Sequence, residues 1–277
     1  MQFSIISDIH IGPLERGYIK GVQRKLSNLS EKLLKEYINK INNDVRPDFV
    51  VNMGDVIEDI SDKKIDVANY KTGIKILSQL KMPIYHIVGN HDLRTMTEED
   101  IKKILGYKQL YYSFNHKNWS FVILLVKLVG NHTVDITDIK TVIPQEQLKW
   151  LEKTLTTASN NTIILLHYSL ADQDLKGNFW FEGEPKNALV GNRKEVRKIL
   201  EASGKVKAVI NGHLHWNNKT VHNKIPYFTV NSLIENFNND GVPSNAYTLV
   251  TLNDDNIQVE VKGNDPASCT HSWNSDN

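Results

Sequence analysis

The chain has 277 residues, 40% of them hydrophobic, enough for one large α/β domain with a buried core. Its 33 basic and 32 acidic residues leave a net charge of +1, so no global field argues for nucleic acid, a membrane surface or an acidic polymer. The single cysteine, Cys269, excludes an internal disulfide and, with no leader-like or membrane-length apolar run, points to a soluble cytoplasmic protein.

Residues 2–7 form the first strand-like run, which ends in Asp8-Ile9-His10. Leu26, Leu29, Leu33, Leu34, Tyr37, Ile38 and Ile41 then recur at helical spacing, predicting a crossover helix. A second apolar run, 49–53, meets Gly54-Asp55. A helix over 65–80, stopped at Met82-Pro83, precedes a third run that enters Gly89-Asn90-His91-Asp92. This βαβαβ rhythm predicts parallel strands with right-handed crossovers.

After Asp92 the pattern predicts a short helix over 98–105 and a hairpin turning at Asn115-His116-Lys117-Asn118. Pro144 opens a helix with Leu148, Trp150, Leu151 and Leu155 on its apolar side. Residues 162–166 run into His167, a helix is predicted over 193–202, and 206–211 run into Gly212-His213-Leu214-His215. Segments 219–223, 226–230, 247–252 and 257–261 leave little room for helices and suit an antiparallel second sheet. The expected fold is a four-layer α/β/β/α sandwich, two mixed sheets flanked by helices. It spans residues 1–262 as a single domain, with 263–277 a loosely held polar tail.

Five apolar runs thus end in metal-ligating side chains, and in open α/β sheets ligands gather outside the carboxyl ends of strands. Carboxylates, imidazoles and an amide oxygen, without thiolate, suit Mn, Fe, Co, Ni or Zn. Two such ions about 3.5–4 Å apart clamp an in-line phosphoryl displacement and lower the pKa of a bridging water. Asp8, His10, Asp55, Asn90, His167, His213 and His215 are enough for two ions. Asp55 is the candidate bridge, because a carboxylate has two oxygens to share between cations.

Singly these residues say little: Asp8 and Asp55 also fit helix N-caps, and Gly89 and Gly212 fit simple turns. The ordered set carries the argument. His86, His116, His132, His222 and His271 lack a partner motif at a strand exit and read as structural or solvated.

The ordered blocks resemble the calcineurin-like metallophosphoesterase superfamily. The resemblance implies Asp8, His10 and His215 on one metal, Asn90, His167 and His213 on a second, and Asp55 between them. It implies His91 as a non-ligand that stabilises the transferring phosphoryl or protonates the leaving oxygen. Such a histidine needs an acceptor on its other nitrogen. Glu58 matches the acidic position that some members use, with Asp92 and Asp59 as alternatives. Ser169 departs from the proline that many members carry two residues after the ligand at His167.

Gln147-Leu148-Lys149-Trp150-Leu151 is similar to a helix opening in the cyclic-nucleotide-phosphodiesterase branch. The long helix before Gly54-Asp55 and Ile225-Pro226-Tyr227-Phe228 look like the ADP-ribose and CDP-alcohol diphosphatase branch, which commonly has glutamine where this chain has His10.

Arg16 and Arg94 follow the first and third motifs closely and are candidates for phosphate oxygens. Phe179, Trp180 and Trp216 are candidates for stacking on a base or covering an apolar leaving group, against a plain core-closing role. The expectation is a dinuclear metallophosphoesterase cleaving a small phosphodiester or diphosphate, nucleotide-derived substrates included, through a metal-bridging hydroxide. A phosphomonoesterase is the alternative; a nuclease, lacking a basic groove, and a non-catalytic scaffold stand behind it.

Overall fold

The computed structural model describes residues 1–13, 17–129, 140–158 and 161–273. Its sheet strands are β1 (Gln2–Ile6), β2 (Val50–Asn52), β3 (Ile84–His86), β4 (Tyr112–His116), β5 (Trp119–Ile123), β6 (Thr162–Leu166), β7 (Val206–Asn211), β8 (Asn218–His222), β9 (Ile225–Thr229), β10 (Tyr247–Leu252), β11 (Asn256–Lys262) and β12 (Ala267–Ser272). Between them lie α1 (Ser30–Lys40), α2 (Lys63–Leu77), α3 (Asn90–Leu93), α4 (Glu98–Leu105), α5 (Gln145–Thr157), α6 (Pro185–Ala188) and α7 (Arg193–Ser203).

Two six-stranded sheets form, in the orders β12-β11-β10-β1-β2-β3 and β8-β9-β7-β6-β5-β4. In the first, β1, β2 and β3 are parallel while β10 joins β1 antiparallel. In the second, β5, β6, β7 and β9 are parallel and the edges are antiparallel. Strand alternation builds the layers. Phe3, Ile5 and Val51 face Phe121, Ile163, Leu165 and Ile210 across the sheet-to-sheet core. Ile6 and Val50 turn the other way onto Leu33, Leu34 and Ile38 of α1 and Leu77 of α2. Ile164, Leu166 and Val209 likewise meet α5 and α7. The expected four layers are therefore present.

Two expectations are corrected. The late segments do not make a sheet of their own: β8 and β9 extend the second sheet, β9 running parallel to β7, while β10 and β11 extend the first. Alternation tells which side of a strand is buried, and Phe228 of β9 and Val250 of β10 are both buried in the same core from opposite sheets. Nor is the stretch from Gly263 to Trp273 loosely held, since β12 pairs with β11 over Ala267 to Ser272 and Trp273 packs on the core; residues 274–277 lie outside the described residues. It is a polar edge strand, secured by backbone bonds that side-chain hydropathy does not report.

Helix α2 starts earlier than its apolar pattern suggests, because Asp62 accepts from Lys64 N at 2.9 Å and Ile65 N at 3.2 Å. Among the described residues no helix is long and apolar enough to cross a membrane.

Candidate metal centre

The loops leaving β1, β2, β3, β6 and β7 converge, and their backbone is forced into uncommon shapes. Asp8, His10, Asp55, His213 and His215 all adopt the left-handed region, with φ between 52° and 68°. Each such residue costs of order 1–3 kcal/mol and persists only where its surroundings over-determine it. Backbone bonds lace the first two loops: Asp8 N donates to Gly54 O (3.1 Å), and Ile9 N and His10 N donate to Asp55 O (2.9 and 3.0 Å). Close approach also explains two glycines. A Cβ on Gly89 would sit 2.1 Å from Asp55 Oδ1, and one on Gly212 would sit 2.1 Å from Ser7 Oγ.

The seven expected ligands come together. Asp8, His10 and His215 form one group and Asp55, His167 and His213 another, each with ligand atoms within 4.8 Å of one another. His10 Nε2 and His215 Nε2 face each other at 3.2 Å. His215 Nε2 lies 3.1 Å from Asp8 Oδ1, and His167 Nε2 lies 3.3 Å from Asp55 Oδ2 and 3.2 Å from Asn90 Oδ1.

A pair of divalent cations fits this donor set. Asp8 and Asp55 are buried, and Asp8 Oδ1 has no aligned hydrogen-bond donor among the described residues. The outward ring nitrogens already have acceptors. His10 Nδ1 meets Glu58 Oε2 at 2.8 Å, His215 Nδ1 meets Glu235, His167 Nδ1 donates to Met53 O at 2.9 Å, and His213 Nε2 donates to Asn187 O at 2.9 Å. With those N–H groups spent outward, the inner nitrogens are left to present lone pairs.

Electrostatics agrees. Burial alone would raise the Asp8 and Asp55 carboxyls, but attraction by His215 and His167 overrides it and holds both well below the usual carboxylate range. The reciprocal effect pushes His167 up to about 9 and His215 up to about 10, against burial, through Asp55 and Asp8 respectively. Both shifts mark the pocket as a place that favours positive charge, as a site for divalent ions requires.

His91 occupies the same pocket, its ring 4.8 Å from that of His10. Of the three acids considered for it, Asp59 makes the contact: His91 Nδ1 lies 2.6 Å from Asp59 Oδ1. Glu58 serves His10 instead, and its carboxyl is held down to about 2, burial being outweighed by His10 and Lys25. Asp92 accepts from the backbone N–H groups of Val56 (2.9 Å), Ile57 (3.3 Å) and Gly89 (3.0 Å), fixing the β2 and β3 loops rather than a ring. Burial and then repulsion from Asp55 push Asp92 up to about 8. Burial, then Lys25 and Arg94, hold His91 well below the usual histidine value.

The substrate-side candidates fall differently. Arg16 lies outside the described residues. Arg94 is half exposed and donates to Asp59 Oδ1 at 3.2 Å. Phe179 is 39% exposed and stacks on Phe237 at 4.8 Å, with the Arg24 guanidinium 3.8 Å from its ring centre. Trp180 turns its indole N–H onto the Glu235 carboxylate, at 2.8 and 2.9 Å from its two oxygens. Trp216 donates to Gln173 Oε1 at 3.1 Å and packs on Leu175, Ala188, Leu189 and Leu214, a core-closing role.

Sequence reasoning missed Lys25, Arg24, Glu235 and Asn187. Glu235 alone left a trace, an acid directly after the apolar pair Leu233-Ile234 beyond a strand exit.

With this geometry in place, comparison with known proteins gives a match to the family described as Calcineurin-like phosphoesterase over residues 1–217. The chain belongs to the calcineurin-like phosphoesterase family. Among curated relatives, a manganese-dependent ADP-ribose/CDP-alcohol diphosphatase of Arabidopsis thaliana is 24% identical, covering 77% of this chain and 79% of that one. A probable cyclic nucleotide phosphodiesterase of Ruthia magnifica is also 24% identical, covering 89% and 92%. Among solved structures, a dimetal phosphatase from Danio rerio superposes with a TM-score of 0.77 at 17% identity over 98% of each chain, a likeness of fold.

Proposed function

We propose that this phosphoesterase hydrolyses a small phosphodiester or diphosphate of nucleotide origin. The observation that carries the reading is a buried cluster of carboxylates and imidazoles with metal-ligand spacing, beside which His91 Nδ1 is held by the Asp59 carboxylate at 2.6 Å. The relatives are named as a probable cyclic nucleotide phosphodiesterase and an ADP-ribose/CDP-alcohol diphosphatase, which supports a substrate of that size and charge class.

Asp8, His10 and His215 would hold one ion, Asn90, His167 and His213 the other, with Asp55 between them. When bound, such ions supply Lewis acidity and bring the pKa of water toward neutrality. The chain's own residues do the rest. Asp59 would orient His91 and oppose the burial, Lys25 and Arg94 that hold the ring below the usual histidine value, so that it can give a proton to the leaving oxygen as charge develops there. Glu58 and Glu235 fix the tautomers and tilts of His10 and His215. The lone cysteine, Cys269, has no catalytic part, consistent with a reducing, cytoplasmic setting.

The test is hydrolysis of bis-p-nitrophenyl phosphate beside p-nitrophenyl phosphate by metal-stripped protein resupplied with Mn, Ni, Zn or Mg. Activity restored by metal, highest with Mn and favouring the diester, is expected. Preference for the monoester overturns the substrate class, and two bound ions without activity on either overturn the hydrolase reading.

A further inference from the structure

The buried cation beside His91 lies outside the ligand set. Lys25 is 7% exposed, and its ammonium lies 3.1 Å from His91 Nε2, 3.1 Å from Glu58 Oε2 and 5.0 Å from the centre of the Trp180 ring. Burying an ammonium costs several kcal/mol of solvation before its partners are counted. The fold does not need it there. Lys25 follows a hairpin of two-residue strands, Tyr18–Ile19 and Val22–Gln23, that bonds to neither main sheet and belongs to none of the apolar clusters. That loop is tied in place by Arg24 N and Lys25 N donating to Gly17 O at 2.7 and 3.3 Å.

We propose that Lys25 is a specificity-determining residue that binds the second phosphate of a diphosphate-linked substrate; the inference rests on the hydrolase reading above. Position gives the reason. The scissile phosphorus belongs at the carboxylate and imidazole cluster, and its leaving oxygen faces His91 Nε2. The group that Lys25 Nζ meets is therefore the next part of the leaving group. In a diphosphate that part is a phosphorus bearing charged oxygens, and its charge increases as the bond breaks. In a diester with a single phosphate it is carbon.

Beside that point Glu58 faces His10, Asp59 faces His91, and Arg94 is engaged by Asp59, so Lys25 is the cation that faces the next part of the leaving group. A phosphate leaving group gains from that charge, whereas an uncharged alcohol or phenol does not. The ammonium lies over the Trp180 ring, and one residue earlier the Arg24 guanidinium lies over Phe179 while pairing with Asp240 at 2.5 Å. The hairpin and the 178–181 loop thus form a cationic and aromatic wall on the leaving-group side.

The experiment measures kcat/KM of Mn-loaded wild type, Lys25→Met and Lys25→Arg on ADP-ribose and on bis-p-nitrophenyl phosphate. Loss of one charge-assisted contact predicts that for Lys25→Met the ratio of kcat/KM on ADP-ribose to kcat/KM on the single-phosphate diester falls about 100-fold, over and above any change common to both substrates from removing a charge beside His91 and Glu58. Lys25→Arg should recover most of the loss, and retained activity on the aryl diester shows that the variant is folded. Equal losses on both substrates, or no loss on ADP-ribose, overturn the proposal. A wild type that cleaves the aryl diester but not ADP-ribose overturns it while leaving the hydrolase reading intact; cleavage of neither removes both.

Independently of any variant, α,β-methylene-ADP should inhibit wild-type cleavage of the aryl diester at least about tenfold more strongly than AMP, from the same added contact. Equal inhibition overturns the proposal.

Discussion

The ligand pocket and the wall beside it are built by opposite means. The pocket residues leave strand ends within a few residues: Asp8 comes two residues after β1, Asp55 three after β2, Asn90 four after β3, His167 one after β6 and His213 two after β7. The sandwich core holds those strands, so the pocket inherits their rigidity and can sustain five left-handed residues. The wall is made of Lys25 and Arg24 from a detached hairpin, Phe179 and Trp180 from a loop, and Glu235 beyond β9. One region is positioned by the fold, the other by side chains gripping one another. Chemistry common to a family belongs in the first, and substrate choice in the second.

The contrast breaks first if the pocket can lose a ligand cheaply. Asp55→Ala removes the carboxylate that lies 3.3 Å from His167 Nε2 and 3.8 Å from His10 Nε2. Bound metal, measured by plasma mass spectrometry after dialysis, should fall below two per chain and activity by at least about 1,000-fold. His91→Ala should cost activity about 100- to 10,000-fold while leaving two ions bound. An Asp55→Ala protein that keeps two ions removes Asp55 as the bridge.

A second test compares buried histidines with and without a carboxylate. His167 and His215 are driven up by acids; His86, buried at the end of β3 with the Asn52 amide at 3.3 Å, is driven down to about 4 by burial. The unfolded chain binds that proton near pH 6.5 and the folded chain only near 4. Stability from this residue is therefore complete above about pH 6.5 and is lost as pH falls toward 4, by about 3 kcal/mol in all. Urea unfolding of metal-stripped wild type and His86→Gln at pH 7.5 and 4.5 should show the variant losing about 2–3 kcal/mol less on acidification. Parallel losses would show that His86 titrates normally in the folded protein.

The difference between the regions also explains what the sequence disclosed. An apolar run ending in Asp, Asn or His is a local pattern, and the ordered set names the seven side chains, and His91, that the structure brings together. Lys25 and Arg24 sit among polar neighbours without helical or strand period, where a basic pair reads as solvated surface. The acid for His91 was ambiguous because Glu58 and Asp59 are adjacent. Which of them reaches which ring depends on the path of the chain after the left-handed turn at Asp55, and sequence spacing does not encode that path.

That division of labour predicts a third, smaller effect. Asp59→Asn should lower kcat about 10- to 100-fold with metal affinity unchanged, whereas Glu58→Gln should weaken metal binding about 10- to 100-fold, because it orients His10. Calorimetric metal titration beside steady-state kinetics separates them. If the two variants exchange phenotypes, the assignment of acids to rings is reversed.

The smallest effect belongs to Arg94, which sits where pocket and wall meet. Its guanidinium donates to Asp59 at 3.2 Å from a side chain that is 50% exposed, so solvent screens the pair and its worth is about 1 kcal/mol or less. If its role is only to hold Asp59 against His91, Arg94→Ala should lower kcat about two- to fivefold and leave KM for ADP-ribose within about 3-fold. A KM raised more than about tenfold, with kcat preserved, would mean that the arginine leaves Asp59 when substrate arrives and joins Lys25 in holding the second phosphate. The same side chain would then belong to the wall, and the boundary between fold-positioned chemistry and loop-positioned recognition would run between Asp59 and Arg94.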